Sequence, residues 1–332
     1  MAPLVLTMGE PSGIGGEISL KAWLARLDGV PPFYLIDDPD RLVGLTHQLG
    51  WPVPIHPIGD PAETSDVFDR ALPVLPIGIR PCGLPARPDP GDAPAILGAI
   101  EAAVRDVQAG RAAALVTNPI HKHSLYRAGF QYPGHTEYLA AIAHAIEAPV
   151  MMLVCPTLRV VPVTIHFALK RAIRELSTPA IVHAGRVTEA ALRHDFGIHG
   201  PVLAVAGLNP HAGEAGGLGR EEIQIIEPAV EELRAAGIDV RGPLAPDTMF
   251  HAAARQTYDA ALCMYHDQAL IPIKTIDFHG GVNVTLGLPF VRTSPDHGTA
   301  FAIAGRGVAR PDSLIAALRL AAEMAARRAA AV

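Results

Sequence analysis

A series of apolar runs, several of them continuous rather than alternating, constrains this chain more than any other feature. They are PLVLTM (3–8), FYLI (33–36), AALVT (113–117), VMMLVC (150–155), VVPVTI (160–165), VLAVA (202–206) and DAALCM (259–264). A strand covered on both faces reads this way, because neither face meets water. Amphipathic helical segments lie near 94–109, 135–146, 178–195, 220–236 and 312–328. Buried strands alternating with such helices predict an α/β fold with a mostly parallel sheet. At 332 residues the chain exceeds one typical domain, so two α/β domains or one large one are expected. Aromatic residues are only 5%, so the core is expected to be mainly aliphatic.

Several classes are disfavoured early. The net charge of −6 argues against a general nucleic-acid surface. A small anionic substrate stays open, because a local basic pocket can sit on an acidic protein. No run of 18 uncharged apolar residues occurs, so no membrane span is expected. The start, MAPLVLTMGEPSG, reads as a first strand and not as a signal peptide. Cys82, Cys155 and Cys263 lie far apart without a CxxC pair. Cys155 and Cys263 sit in apolar runs and read as buried reduced thiols, a usage that fits the cytosol. The Pro- and Gly-dense stretch 76–92 reads as a long loop or a crossing between lobes.

Ligands of α/β sheets gather beyond the carboxyl ends of strands, so the residues after each apolar run carry the functional argument. After the first comes GEPSGIGGE (9–17), whose glycines 13, 15 and 16 suit either a tight strand-to-helix turn or a close approach to a ligand. After AALVT comes TNPIHK, where Lys122 is either a solvated lysine or a group for proton transfer or anion contact. GHTEYL (134–139) opens a helix that Thr136 could cap. With His135 beside it, that terminus could hold a phosphate.

Three further strand ends each carry a histidine. His166 ends VVPVTIHF, His211 lies in GLNPHAGE beyond VLAVA, and His266 follows DAALCMY. Neutral imidazole is a common ligand for divalent transition metals, and three protein ligands leave a position open for catalysis. The separations match no local metal motif, so the warrant is three loops on one rim of a sheet. Asp247 and Asp267 are candidate partners of these histidines or proton carriers. Downstream, Lys274, Asn283 and Arg292 fall at near ten-residue intervals and either feed one anion pocket or are independent surface groups. The loop 296–311 holds Asp296, His297, Gly298 and Gly305 in an otherwise apolar setting that could wrap a nucleotide.

The succession GEPSGIG, TNPIHK, GHTEY, TIHFAL, GLNPHAGE, YHDQ, LGLPFVRTSPDHGTA and AGRG resembles the 4-hydroxythreonine-4-phosphate dehydrogenase family of vitamin B6 biosynthesis from about residue 4 to 328. The resemblance implies a two-lobed isocitrate/isopropylmalate-dehydrogenase-like α/β fold with the active site in the interlobe cleft. The whole of 1–332 would then be one catalytic unit, its lobes interleaved in sequence without a fixed boundary. It implies a cytoplasmic homodimer whose metal site lies at the subunit interface, with no nucleic-acid or membrane partner. His166, His211 and His266 would hold one divalent ion (Zn, Mg or Co), with ligands drawn from both subunits. His135, Thr136, Lys274, Asn283 and Arg292 would contact a phosphorylated substrate. Asp296, His297, Gly298 and Gly305 would contact NAD or NADP. Three departures stand out: Gly16 where the family usually has Pro, Phe167–Ala168 after the metal histidine, and His121 where Asn is frequent.

The implied reaction is NAD-dependent oxidation of the C3 hydroxyl of 4-phosphooxy-L-threonine, then decarboxylation to 3-amino-2-oxopropyl phosphate. Lys122 and Asp247 are the candidates to accept the hydroxyl proton. The near alternative is a dehydrogenase of 4-phospho-threonate or 4-phospho-erythronate. A more distant one is a three-histidine metallohydrolase.

Overall fold

The computed structural model describes residues 2–330. Five strands precede residue 150: β1 (Leu4–Thr7), β2 (Phe33–Asp37), β3 (Ile55–Pro57), β4 (Leu72–Pro76) and β5 (Leu115–Thr117). Seven follow: β6 (Val150–Cys155), β7 (Leu158–Thr164), β8 (Val202–Ala206), β9 (Asp239–Leu244), β10 (Ala260–Tyr265), β11 (Val282–Leu286) and β12 (Arg292–Pro295). The chain divides into two compact units. One runs through Pro149 and includes Leu288–Ala326; the other holds Val150–Gly287 and the chain from Arg327 onward.

In the first unit the strand order is β3-β4-β2-β1-β5-β12. All of its pairings are parallel. β1 and β2 are buried at every position, as continuous apolar strands require. The helix Ala93–Gln108 buries one stripe, Ala95, Ile96, Ala99, Ile100, Ala103 and Val104, at helical spacing. That stripe packs with Val5, Tyr34, Ile36 and Leu115 of the sheet into one aliphatic core.

In the second unit the order is β11-β6-β7-β10-β8-β9. Here β6 runs antiparallel to both neighbours, while β7, β10, β8 and β9 are parallel. A two-residue turn, Pro156–Thr157, joins β6 to β7, which is why this one pairing needs no crossover helix. Cys155 and Cys263 are buried free thiols, whereas Cys82 is exposed.

The 76–92 stretch crosses nothing: it stays inside the first unit. Cys82 and Gly83 donate backbone N–H to Asp92 at 2.6 and 2.9 Å. Ala86 N–H donates to the Ser12 carbonyl at 2.9 Å, and Ser12 Oγ donates to the Arg87 carbonyl at 3.0 Å. These bonds strap the segment over the GEPSG turn. Among the described residues no helix is long and apolar enough to cross a membrane.

The strap helps to bury Glu10, which is only 1% exposed. Its Oε1 accepts the Ser12 N–H at 3.2 Å and its Oε2 has no hydrogen-bond partner. Burial, with the nearby charge of Asp92, raises its pKa to about 7 against hydrogen bonds from Ser12 that lower it. A carboxyl raised in the fold stabilises fully below its unfolded pKa and loses that contribution as pH rises through about 7. Glu10→Gln keeps the accepting oxygen without the charge. It should raise the melting temperature clearly at pH 8 and little at pH 5, the difference reflecting about 3 kcal/mol. Equal shifts at both pH values in thermal melts would contradict this reading.

Candidate active site

The first unit assembles a compact cationic cluster where the amino end of β12 lies beside β5. Arg292 begins β12, beside β5, and is 3% exposed. Its Nη2 donates to Thr117 Oγ1 at 2.6 Å and lies 3.5 Å from His135 Nδ1. Burial lowers the Arg292 pKa to about 10, so the guanidinium keeps its charge at neutral pH. His135 is held well below the usual imidazole range by desolvation, then by the charges of Arg292 and Lys122. The ring is therefore neutral. Its Nε2 is buried without a hydrogen-bond partner, as a donor or acceptor waiting for a ligand would be.

His135 opens the helix His135–Ile142, and the cap is Gly134, in extended backbone without any side-chain cap. Thr136 is thus not the cap that the sequence suggested; it lies inside the first turn. The first-turn N–H groups of a helix have no partner within it, and the dipole there favours an anion. A side chain at Gly134 would meet Glu137 Oε2 at 2.9 Å and Lys122 Nζ at 3.2 Å, so both flexible chains would have to shift to admit it. Lys122 begins the helix Lys122–Arg127 and stands at the edge of the cluster. The arrangement sets together one fixed cation, one neutral imidazole and one helix N-terminus, groups that can each donate to an anion.

The depressed His135 pKa has a checkable sign. A histidine neutral in the fold but titrating near 6.5 when unfolded costs stability as pH falls below that value. Its NMR ring resonances should stay flat between about pH 8 and pH 6, where exposed histidines move. A normal titration curve would show that the ring is not shielded.

The second unit gathers two of the three predicted metal histidines. β7 and β10 pair in parallel register, with Thr164 opposite Tyr265. Thr164 Oγ1 also donates to the Met264 carbonyl at 2.7 Å. The residues just beyond these strand ends are His166 and His266, whose ring centroids lie 5.7 Å apart. His166 has left-handed backbone, φ 32°. Asp267 Oδ1 lies 2.7 Å from His266 Nδ1, a contact that would direct His266 Nε2 elsewhere. A cavity of about 150 Å³ opens beside His266, lined by Thr164, Ile165, Phe167, Tyr265 and Asp267 among others. His211 is not brought to this pair: among the described residues no three His, Cys, Asp or Glu side chains form a metal-sized group.

The remaining predicted residues separate by environment. Lys274 lies in the last turn of the helix His266–Ile276, with Nζ 5.3 Å from the Phe278 ring centre. Asn283 is on β11, its Oδ1 buried without a hydrogen-bond partner. Asp247 is exposed in the short turn Pro246–Thr248, which packs against the segment holding His211. In the first unit the Asp296 N–H donates to Ser313 Oγ at 2.9 Å, and His297 Nδ1 lies 3.1 Å from the Gly298 carbonyl. Gly298 has open space where a side chain would be. Gly305 differs, because its N–H is taken by Glu17, as is that of Gly307 at 2.9 Å. Gly305 therefore has its N–H already occupied, and a side chain there would meet Pro85 Cβ at 2.8 Å. His121, one of the departures, turns its ring edge-on to Phe301 of this loop, with centroids 4.9 Å apart.

Sequence reasoning did not single out Thr117, Glu10, Glu17, Glu222 or Gln268. Thr117, Gln268, Glu10 and Glu17 stood inside quoted segments, TNPIHK, YHDQ and GEPSGIGGE, without being singled out. Glu222 lay in no quoted motif.

Comparison with known proteins settles the family. Residues 32–321 match the family described as pyridoxal phosphate biosynthetic protein PdxA. The chain belongs to the PdxA family. A 4-hydroxythreonine-4-phosphate dehydrogenase from Methylorubrum populi is 56% identical, covering 98% of this chain and 95% of its own length. One from Caulobacter vibrioides is 54% identical, with 98% of each chain covered. The crystal structure of a 4-hydroxythreonine-4-phosphate dehydrogenase from Klebsiella pneumoniae superimposes with TM-score 0.87 at 36% identity, covering 98% of this chain and all of that one. The α/β architecture inferred from the apolar runs is thus that of the family.

Proposed function

We propose that this chain is a 4-hydroxythreonine-4-phosphate dehydrogenase, oxidising the C3 hydroxyl of 4-phosphooxy-L-threonine with NAD and releasing 3-amino-2-oxopropyl phosphate after decarboxylation. The observation that carries the reading is the buried Arg292–His135 pair at an open helix terminus, in a chain 56% identical to a relative of that name. It is suitable chemistry for a phosphate monoester, whose oxygens accept from a guanidinium, an imidazole N–H and free helix N–H groups.

In this reading Arg292, His135 and Thr136 grip the phosphate, and Lys274 and Asn283 meet the rest of the substrate. Fixing both ends supplies proximity, which is worth several powers of ten in rate. His166 and His266 fit a divalent ion, being imidazoles 5.7 Å apart beside a small cavity. The third ligand would be His211 of a second subunit, in a cytoplasmic homodimer. Such an ion supplies Lewis-acid stabilisation of negative charge at the substrate oxygen. NAD accepts the hydride, and Asp296, His297 and the open face at Gly298 would receive part of it. Lys122, beside the phosphate cluster, and Asp247, on the turn that packs against the His211 segment, remain the groups proposed to take the hydroxyl proton.

The test is to follow NADH absorbance with purified protein, NAD and 4-phosphooxy-L-threonine, in parallel with 4-phospho-threonate and with a chelator. Chelator-sensitive NADH with the first substrate supports the proposal. Turnover of 4-phospho-threonate alone would move it to the phospho-aldonate dehydrogenases. No NADH from either would overturn it.

A further inference from the structure

The segment bearing His211 is built unlike any other in the chain. His211, Ala212, Gly213, Glu214 and Ala215 all have left-handed backbone, with φ between 44° and 79°. Four of the five are not glycine. Left-handed conformation costs an ordinary residue roughly 1–2 kcal/mol, so surrounding contacts must over-determine the turn. Backbone bonds tie the turn to its flanks: Ala212 N–H to Asn209 O, Gly217 N–H to Glu214 O and Leu218 N–H to Gly213 O, each 3.1 Å.

A side chain from outside the turn, Glu222, also holds its entry, and it is 1% exposed. Its Oε1 accepts the N–H groups of Leu208 and Asn209, both at 2.7 Å. Its Oε2 accepts from Asn209 Nδ2 at 2.9 Å. The same Asn209 nitrogen donates to Glu221 Oε2 at 2.7 Å, which fixes the amide's orientation. Gly213 rides directly on the carboxylate: a side chain there would come within 2.5 Å of Glu222 Oε2. Glu222 begins a single π-helical turn, Glu222–Ile226, before the helix Glu227–Ala235. Such a widened turn commonly marks a site where a side chain must be re-aimed. Below the carboxylate, Gln268 Nε2 donates to the Gly207 carbonyl at 2.8 Å while its Oε1 accepts the Met264 N–H at 2.6 Å. The loop's base is thereby tied to the strand end that carries His266.

We infer that Glu222 is a positioning residue for His211: its carboxylate holds the left-handed turn that presents this imidazole to a divalent ion. The inference rests on the proposed ligand role of His211. Glu222 touches neither substrate nor ion; it acts through the backbone of residues 208, 209 and 213. A glutamine in its place keeps one oxygen for the two N–H groups but sets its amide nitrogen against the Asn209 donor. Alanine removes every acceptor and leaves a buried gap.

The experiment measures zinc affinity by competition with a chromophoric chelator for the wild type, Glu222→Gln, Glu222→Ala and His211→Ala. Melting temperature and affinity for inorganic phosphate are read alongside. Losing an outer partner of a metal ligand typically weakens metal binding about 10- to 100-fold. Glu222→Gln should fall near the lower end and Glu222→Ala near the upper, with phosphate affinity, a property of the first unit, within about twofold. If Glu222→Ala does not fold, Glu222→Gln alone decides. Zinc affinity unchanged in the Glu222 variants, while His211→Ala loses it, overturns the positioning role. Zinc affinity unchanged in His211→Ala overturns the ligand reading itself.

Discussion

Replacing Arg292 by alanine should lower kcat/KM for the phosphorylated substrate about thirty- to four-thousand-fold while hardly moving the melting temperature. The kinetic part follows from burial. A guanidinium that is 3% exposed meets a phosphate in a setting where water competes poorly. Truncating one partner of such a charge pair costs about 2–5 kcal/mol, and each 1.4 kcal/mol is tenfold in rate. The stability part follows from two opposed terms. The fold depresses the Arg292 pKa to about 10, an unfavourable contribution that alanine relieves. Alanine also leaves Thr117 Oγ1 without its 2.6 Å donor and opens a cavity, which offsets the gain. Arg292→Lys should recover only part of the activity, because an ammonium keeps the charge but loses the planar fork that spans Thr117 and a phosphate oxygen. Steady-state kinetics and the inhibition constant of inorganic phosphate report this together. Unchanged phosphate inhibition in Arg292→Ala would remove the guanidinium from the anion site, whatever happened to turnover.

The parts of this molecule that were legible in the sequence are those where physics acts locally. Strands buried on both faces announced themselves, and all seven apolar runs became β1, β2, β5, β6, β7, β8 and β10. The strands that went unnamed lack that signature. β3 (IHP) and β9 (DVRGPL) are sheet edges that carry proline and are half exposed, as edges tolerate. β12 (RTSP) reads as a polar loop, yet all four residues are buried, and Arg292 donates to Thr117 Oγ1 at 2.6 Å instead of facing solvent. The site divides the same way. Histidines at strand ends could be found by position, and parallel pairing of β7 with β10 is what makes His166 and His266 neighbours. The left-handed run at 211–215 was invisible, because only one of its five residues is glycine and local preference points away from that conformation. What imposes it is Glu222, eleven residues beyond His211 and marked by no motif. Thr136 misled for the reciprocal reason: a residue type suited to capping lies inside the first turn, and the cap position falls on Gly134.

Mixing two inactive variants should restore activity, and which pairs do so tests how the metal site is shared. Within one chain His166 and His266 are neighbours, while His211 joins no metal-sized group among the described residues. The proposed site therefore takes His166 and His266 from one subunit and His211 from the other. In a symmetric dimer two such sites exist, each the other's mirror in subunit usage. His166→Ala and His211→Ala homodimers would each lack a ligand in both sites and be inactive. A heterodimer of the two concentrates both lesions in one site and leaves the other whole. Random reassortment of equal amounts makes half of the dimers mixed, each with one intact site of two, so about a quarter of wild-type activity should return. The pair His166→Ala with His266→Ala must behave differently. Both lesions then fall on ligands from the same subunit, so every site in the mixed dimer is damaged and no activity returns. Reassortment by mild dissociation, followed by NADH production with added metal, gives the readout. Recovery in the second pairing, or none in the first when mass spectrometry shows mixed dimers, would mean that the ligands are divided between subunits in another way.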